Sequence, residues 1–107
     1  MPNERRRAPR VNVNLPARWA DESAEHEAGV TSLSVTGCFV LTGGEVQTTE
    51  RVRLEITFPD DSQIYPWGEV VEEASEIGFA VRFTLMTEAE LERLKQFVDE
   101  TLARARK

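Results

Sequence analysis

The chain has 107 residues, of which 40% are hydrophobic and 30% are charged, and its formal net charge is −6. This length suits a single domain, and the composition is typical of soluble globular proteins rather than of disordered chains. No run approaches the roughly 20 apolar residues of a membrane-spanning helix. Cys38 is the only cysteine, so we expect a cytoplasmic protein without an intramolecular disulfide and without membrane insertion.

The charges are distributed unevenly along the sequence. Residues 1–18 hold five arginines and one glutamate, a net charge of +4, whereas residues 19–103 hold five basic and eighteen acidic side chains, a net charge of −13. An acidic body repels the nucleic-acid backbone, while a short arginine-rich segment can still hold a compact phosphorylated ligand. We therefore expect a small anionic partner and neither DNA nor RNA.

Alternation of apolar and polar residues predicts six short β-strands. In chain order these are residues 11–19, about 29–34, 38–41, 52–58, about 63–74 with interruptions at Pro66 and Gly68, and 77–84. Pro16 should place the first strand at an edge or a bulge, because proline cannot donate to the ladder. The acidic residues 21–27 are predicted as a loop, and residues 35–37 as a tight turn. Six strands with hairpin-length connections favour an antiparallel barrel or sandwich.

A terminal helix follows the last strand. Thr87 and Glu90 have the spacing of a capping box, and the apolar residues on one face of the helix are Leu91, Leu94, Phe97, Val98 and Leu102. We expect a helix of roughly 16–18 residues, starting at about residue 87, to lie over the sheet. The predicted organisation is a flexible arginine-rich arm over residues 1–10 and one domain over residues 11–107.

The sequence gives little support for catalysis. His26 is the only histidine and lies in the acidic segment, away from any nucleophile. Asp60 and Asp61 follow a proline and are typical of a turn. No His, Cys, Asp or Glu grouping has metal-ligand spacing. We therefore expect no catalytic residue, no metal and no cofactor.

Two features fit a binding function better than a plain structural domain. In Arg5-Arg6-Arg7-Ala8-Pro9-Arg10, Pro9 favours an extended chain, in which Arg6 and Arg10 lie up to ~13 Å apart. Guanidinium groups fork onto phosphates and pair with or stack on guanine, although a terminal arginine cluster can also be a solubilising tail. The second feature is Ser32-x-Ser34-x-x-Gly37, whose serines should lie side by side on one strand face, unless they are ordinary strand and turn residues.

Together, Arg5-Arg6-x-x-x-Arg10 and the later Ser34-x-x-Gly37 resemble the PilZ domain family of bacterial cyclic di-GMP receptors. The strand from Gly78 and the terminal helix resemble that family's closing segment. The resemblance implies an all-β fold, a small six-stranded antiparallel β-barrel with a C-terminal amphipathic α-helix. It also implies cyclic di-GMP as the ligand, with Arg6 and Arg10 clamping guanine and phosphate, Arg5 beside them, and Ser34 and Gly37 on the barrel side.

Ser32 departs from the family pattern, which usually has Asp or Asn at this position. A lost hydrogen bond to guanine could cost roughly 1–3 kcal/mol, about 5- to 150-fold in affinity. The leading hypothesis is a cyclic di-GMP sensor whose arginine arm becomes ordered on binding and signals to an effector protein. The alternative is a degenerate domain of the same fold that does not bind nucleotide and acts as a protein-interaction adaptor, for instance in pilus or motility machinery.

Overall fold

The computed structural model describes residues 8–22, 24–43, 50–74 and 77–105, which form seven β-strands and one α-helix. In chain order the elements are β1 (Val11–Ala20), β2 (Glu25–Leu33), β3 (Gly37–Leu41), β4 (Arg51–Thr57), β5 (Gln63–Ile64), β6 (Trp67–Ala74), β7 (Gly78–Leu85) and α1 (Glu88–Ala105). Within these ranges, no helix has both the length and the apolar character that crossing a membrane requires.

Six of the strands close into an antiparallel barrel. Neighbouring strands pair in the order β1-β2-β3-β7-β6-β4, and β4 pairs back with β1 through Ala17↔Ile56 to Ala20↔Arg53. The two-residue strand β5 pairs with the end of β4, outside this ring. The fold predicted from the sequence, a six-stranded antiparallel barrel followed by one helix, is confirmed.

Alternating residues of the strands fill the interior of the barrel. On β4, Val52, Leu54 and Ile56 are at most 1% exposed, as their alternation with polar residues predicts. Trp19 on β1 is also buried, meets the ring of Phe79 edge-on at 5.1 Å and uses its indole N–H to donate a hydrogen bond to Thr42. Burial of these large side chains is the main force that holds the barrel together.

The structure corrects the predicted beginning of the second strand. The acidic residues from Glu25 onward were expected to form a loop, but they belong to β2 and pair with the end of β1. Arg18 lies opposite Glu27 and is 3.5 Å from the carboxylates of both Glu25 and Glu27. The ladder with β1 satisfies the backbone of this segment, so its polar composition does not prevent strand formation.

Prolines explain two further details. The predicted strand 63–74 is divided into β5 and β6 at Tyr65–Pro66, because proline lacks the N–H that a continuous ladder needs. Pro16 lies in β1 next to a register shift between Asn12 and Leu15, and β1 joins β4 only from Ala17 onward. Pro16 is therefore beside a bulge, at a point where β2 alone pairs with β1.

The last strand follows its predicted alternation only in part. Phe79 and Val81 are buried, and Phe83 is half-buried against the core. Ile77 is 54% exposed, although alternation along the strand predicted over residues 77–84 would place it on the same face as Phe79 and Val81. Its position in the turn before β7 accounts for this, since strand alternation starts only where the ladder starts.

Helix α1 begins with the predicted capping box. The backbone N–H of Glu90 donates to the Thr87 hydroxyl at 3.1 Å, and the Thr87 N–H donates to the Glu90 carboxylate at 3.0 Å. Desolvation alone would raise the pKa of Glu90, but the N–H groups of Thr87 and Tyr65 that donate to it lower the pKa overall. Glu90 thereby connects the start of the helix to the segment between β5 and β6.

The helix closes one end of the barrel. Leu94, Phe97 and Val98 are its buried residues. Leu91 is 39% exposed, so its predicted place on the contact face is wrong. The ring of Phe97 lies 4.9 Å from that of Phe58 at the end of β4. This contact places α1 over the interior apolar residues.

A polar cluster fixes the helix to the turn after β4. The Arg93 guanidinium lies 4.4 Å from the Phe58 ring centroid, donates to the Ser62 hydroxyl at 3.0 Å and pairs with the Asp60 carboxylate at 3.1 Å. Hydrogen bonds from Ser62, and then from Arg93, lower the pKa of Asp60 to about 2. Asp60 is thus a structural turn residue, as its sequence context predicts.

Candidate functional site

The candidate site begins where β1 starts and β2 ends. Arg10 is exposed, and its guanidinium donates to the Ser32 hydroxyl at 3.1 Å. The antiparallel pairing of Val11 with Leu33 and of Asn12 with Ser32 brings the two residues together although they are 22 positions apart in sequence. Arg10, the last residue of the arginine-rich segment, therefore contacts β2 at Ser32, the first residue of the predicted serine motif.

The turn between β2 and β3 is held by hydroxyl and backbone hydrogen bonds. The Ser34 N–H donates to the Gly37 carbonyl at 2.9 Å, which closes the turn. The Ser34 hydroxyl accepts from the Thr36 N–H at 3.1 Å and lies 3.0 Å from the Thr36 hydroxyl. Such a bond from a serine hydroxyl to the N–H two residues on is a common way to fix a tight turn.

The position of Ser34 differs from the prediction. The two serines were expected to show their hydroxyls side by side on an exposed strand face, but Ser34 is 1% exposed and lies after the last residue of β2. Ser32 is half-buried. Ser34 therefore shapes the turn. The exposed hydroxyl at this turn is that of Thr36, which was not predicted as a site residue. The signal for Thr36 was its position two residues after Ser34, at the spacing of such turns.

Gly37 is required by the close approach of β3 to β7. A Cβ atom at this position would meet the Val81 carbonyl oxygen at 2.2 Å, a distance that no side chain tolerates. Gly37 pairs directly with Arg82 on β7, whose side chain is exposed and forms an ion pair with Glu69. The glycine thus fixes the position of the turn against the neighbouring strand.

Arg10 also interacts electrostatically with the buried thiol of Cys38 at the start of β3. Burial raises the pKa of the Cys38 thiol to about 12, and the smaller, opposite effect comes from the positive charge of Arg10. Cys38 is fully buried as a small core residue, and it stays a neutral thiol at physiological pH. Arg10 therefore contributes an exposed positive charge at this end of the barrel.

Some of the predicted site residues are outside the described part of the chain. Arg5 and Arg6 lie outside the described residues, so the arm is represented by Ala8, Pro9 and Arg10. The structure thus brings together Arg10, Ser32 and the turn from Ser34 to Gly37. His26 is elsewhere, with its ring stacked 4.1 Å from that of Trp19, and in the described ranges no three His, Cys, Asp or Glu side chains are grouped to hold a metal ion.

A second surface combines aromatic and cationic side chains. Arg51 and Arg53 on β4 lie 5.4 and 5.1 Å from the Trp67 ring centroid, and Arg53 also lies 5.9 Å from that of Tyr65. We call these four residues the aromatic-arginine cluster. A cleft of about 660 Å³ is lined by both arginines, Trp67 and acidic residues at the end of β1. Neither arginine of the cluster forms an ion pair with another described residue.

The fold and this site define a small closed β-barrel with a cationic and hydroxyl-bearing surface at one end. The family model of the PilZ domain matches residues 4–100, and the chain belongs to this family. PilZ domains are receptor or adaptor domains, and the expected family membership is confirmed. A comparison with curated proteins gives no match.

Solved structures share the fold. The inhibitor of motility from Bacillus subtilis (MotI/DgrA) superposes with a TM-score of 0.81 at 20% identity, over 94% of this chain and 53% of that one. The PilZ domain of YcgR from Escherichia coli with c-di-GMP gives a TM-score of 0.76 at 14% identity, over 95% of both chains. The chain thus spans about half the length of the motility inhibitor, and the similarity shows a common fold.

Proposed function

We propose that this PilZ domain is a cyclic di-GMP sensor that acts in the cytoplasm. Cyclic di-GMP binds between the arginine-rich segment and the outer surface of the barrel, and the ordered segment then forms part of a surface that contacts an effector protein. Arg5, Arg6, Arg10 and Ser32 are the residues assigned to contacts with the ligand, and Ser34 and Gly37 form the barrel-side turn of the site.

The contact between Arg10 and Ser32 is the observation that carries this proposal. The guanidinium is exposed and lies 3.1 Å from the hydroxyl, and it has no carboxylate partner among the described residues. A guanidinium can fork onto a phosphate or onto the O6 and N7 edge of guanine. The chain has a net charge of −6, so the positive charge of the arginine-rich segment contrasts with the rest of the protein.

The segment before β1 supplies donors but few apolar anchors. Residues 3–10 include four arginines and neither an aromatic nor a branched aliphatic side chain. Fixing each residue costs ~1–2 kcal/mol of conformational entropy, and this segment has little apolar surface to offset that cost. Contacts with an anionic ligand can provide the stabilisation, which couples ligand binding to ordering of the segment.

Two of the solved relatives are consistent with such a role. The YcgR PilZ domain has a structure with c-di-GMP, and YcgR also has a crystal structure in complex with it. The related inhibitor of motility acts, by its name, on a motility process. These relatives support a nucleotide ligand and an effector protein as the partners of this domain.

Calorimetric titration with cyclic di-GMP tests the sensor. We expect heat that saturates at micromolar ligand, with an affinity at least about tenfold lower in Arg6→Ala and in Arg10→Ala. Thermal unfolding should be nearly unchanged, because Arg10 is exposed and contributes little to the core. Arg18→Ala is the matched control, because it removes an exposed strand arginine whose partners are Glu25 and Glu27. Unaltered binding in both Arg6→Ala and Arg10→Ala would contradict the proposed clamp.

The aromatic-arginine cluster favours the adaptor as a second candidate function. Tryptophan, tyrosine and arginine dominate the energetics of protein–protein interfaces, and Tyr65 is 39% exposed. Ser32 also offers a single side-chain oxygen, whereas Asp and Asn, the usual residues at this position in the family, each offer two polar atoms. The Ser32 oxygen already accepts a hydrogen bond from Arg10. Absence of heat up to hundreds of micromolar cyclic di-GMP would make the adaptor the preferred function.

A further inference from the structure

The strand pairings define a continuous row of side chains on the outer surface beside the candidate site. Successive pairs are Asn12↔Ser32, Ser32↔Phe39, Phe39↔Ala80 and Ala80↔Glu72, from β1 across to β6. All five residues are exposed or half-buried. The adjacent row of pairs points inward and is buried, so the first row faces outward; its members are Val11, Leu33, Cys38, Val81 and Val70. Phe39 therefore lies directly beside Ser32 on the surface.

Arg82 belongs to the same surface. It lies two residues after Ala80 on β7 and pairs with Gly37, so it projects on the same side as Phe39 at a diagonal distance of about 7–8 Å. Its side chain is 59% exposed. Phe39 is thus flanked by Ser32 on one side and by a second guanidinium on the other.

We propose that Phe39 and Arg82 are further ligand-binding residues of the cyclic di-GMP site: the Phe39 ring stacks on a guanine base, and the Arg82 guanidinium binds a phosphate. This inference rests on the proposed function. It extends the site from the β1–β2 end across β3 to β7, so that guanidinium groups lie on two sides of the ligand. Stacking of bases on an aromatic ring tolerates variation of the polar contacts, which compensates for the single oxygen of Ser32.

Glu69 holds the Arg82 guanidinium in an ion pair. Its carboxylate forms an ion pair with the Arg82 guanidinium, and the two residues face each other across β6 and β7. This pair orients the guanidinium but also neutralises part of its charge. A phosphate bound at Arg82 therefore lies near a negative charge, and removal of that charge should strengthen binding.

The experiment is a calorimetric titration of the whole chain with cyclic di-GMP at one salt concentration. Phe39→Leu retains apolar volume but removes the ring, and Arg82→Ala removes the guanidinium. We expect each to weaken binding by about fivefold or more. Glu69→Gln should tighten binding by about two- to fivefold, the effect of an exposed charge pair.

Arg18→Ala is again the control, since Arg18 is a half-exposed strand arginine paired with carboxylates, as Arg82 is. It should bind like the wild type, and unliganded variants should unfold within a few degrees of it. If the wild type binds and either Phe39→Leu or Arg82→Ala binds equally well, this inference is overturned while the proposed function stands. If the wild type does not bind, the proposed function fails and the inference falls with it.

Discussion

Restoring the polar group expected at position 32 tests the site most directly. The Ser32 hydroxyl lies 3.1 Å from the Arg10 guanidinium and is half-buried on the outer face, so Ser32→Asp and Ser32→Asn extend into the candidate site without entering the core. Each provides an additional acceptor for the N–H groups on the guanine edge. Aspartate can also hold Arg10 through a charge-assisted hydrogen bond.

The magnitude follows from the number of hydrogen bonds gained. One recovered hydrogen bond to a buried guanine edge is worth on the order of 1–3 kcal/mol, which raises affinity by roughly 5- to 150-fold. We expect Ser32→Asp to bind more tightly than Ser32→Asn, because it also fixes Arg10. The added carboxylate has little effect on stability where solvent remains accessible.

The assay is calorimetric titration of the wild type and both variants with cyclic di-GMP at a single salt concentration. Asn12→Asp provides a matched control, because Asn12 pairs directly with Ser32 and is exposed on the same row, one strand further from the turn. Asn12→Asp introduces the same charge as Ser32→Asp, but at a position that pairs with β2 and not with β3. If neither change at Ser32 tightens binding, Ser32 does not face the ligand or the barrel does not form a nucleotide site, and the adaptor becomes the preferred function.

Three further predictions concern stability. Phe58→Ala should destabilise the fold by ~3–5 kcal/mol, because Phe58 is 1% exposed beneath α1; a loss below about 1 kcal/mol in denaturant unfolding would contradict its core position. Gly37→Ala should cost ~1–3 kcal/mol, because the added Cβ meets the Val81 carbonyl at 2.2 Å; an unchanged unfolding midpoint would refute the close approach. The pKa of Asp60 is lowered from 3.8 to about 2, so its stabilising contribution is complete above about pH 4 and lost as pH falls through about 2; Asp60→Asn should remove this part of the acid dependence in thermal melts, and an identical pH profile would argue against the hydrogen bonds from Ser62 and Arg93 to this carboxylate.

The sequence was sufficient where one periodic pattern covered a whole element. Leu54 and Ile56 alternate with polar residues on β4 and are buried as predicted. The capping residues Thr87 and Glu90 bond as their spacing predicts. Both signals are local, because a strand face and a helix start depend on residues close together in the chain.

The remaining features depend on contacts between distant segments. Closure of the barrel through Ala17↔Ile56 joins strands that are far apart in sequence, and no local pattern indicates it. The acidic residues from Glu25 are a strand only because β1 supplies a partner. The Arg10–Ser32 contact likewise depends on the register of the β1–β2 hairpin rather than on either motif alone.

The orientation of Ser32 is the clearest case of a detail of the candidate site that simple alternation does not predict. Val30 and Leu33 are both fully buried, although they are three positions apart, and strict alternation from Val30 would turn Ser32 into the barrel interior. The register shift between Val30 and Ser32 against β3 prevents this, so that Leu33 enters the core while Ser32 remains on the outer face. A bulge beside a binding surface commonly redirects a side chain in this way. The position of Ser32 next to Arg10 and Phe39 therefore depends on one irregular residue of β2, Thr31, at least as much as on the motif itself.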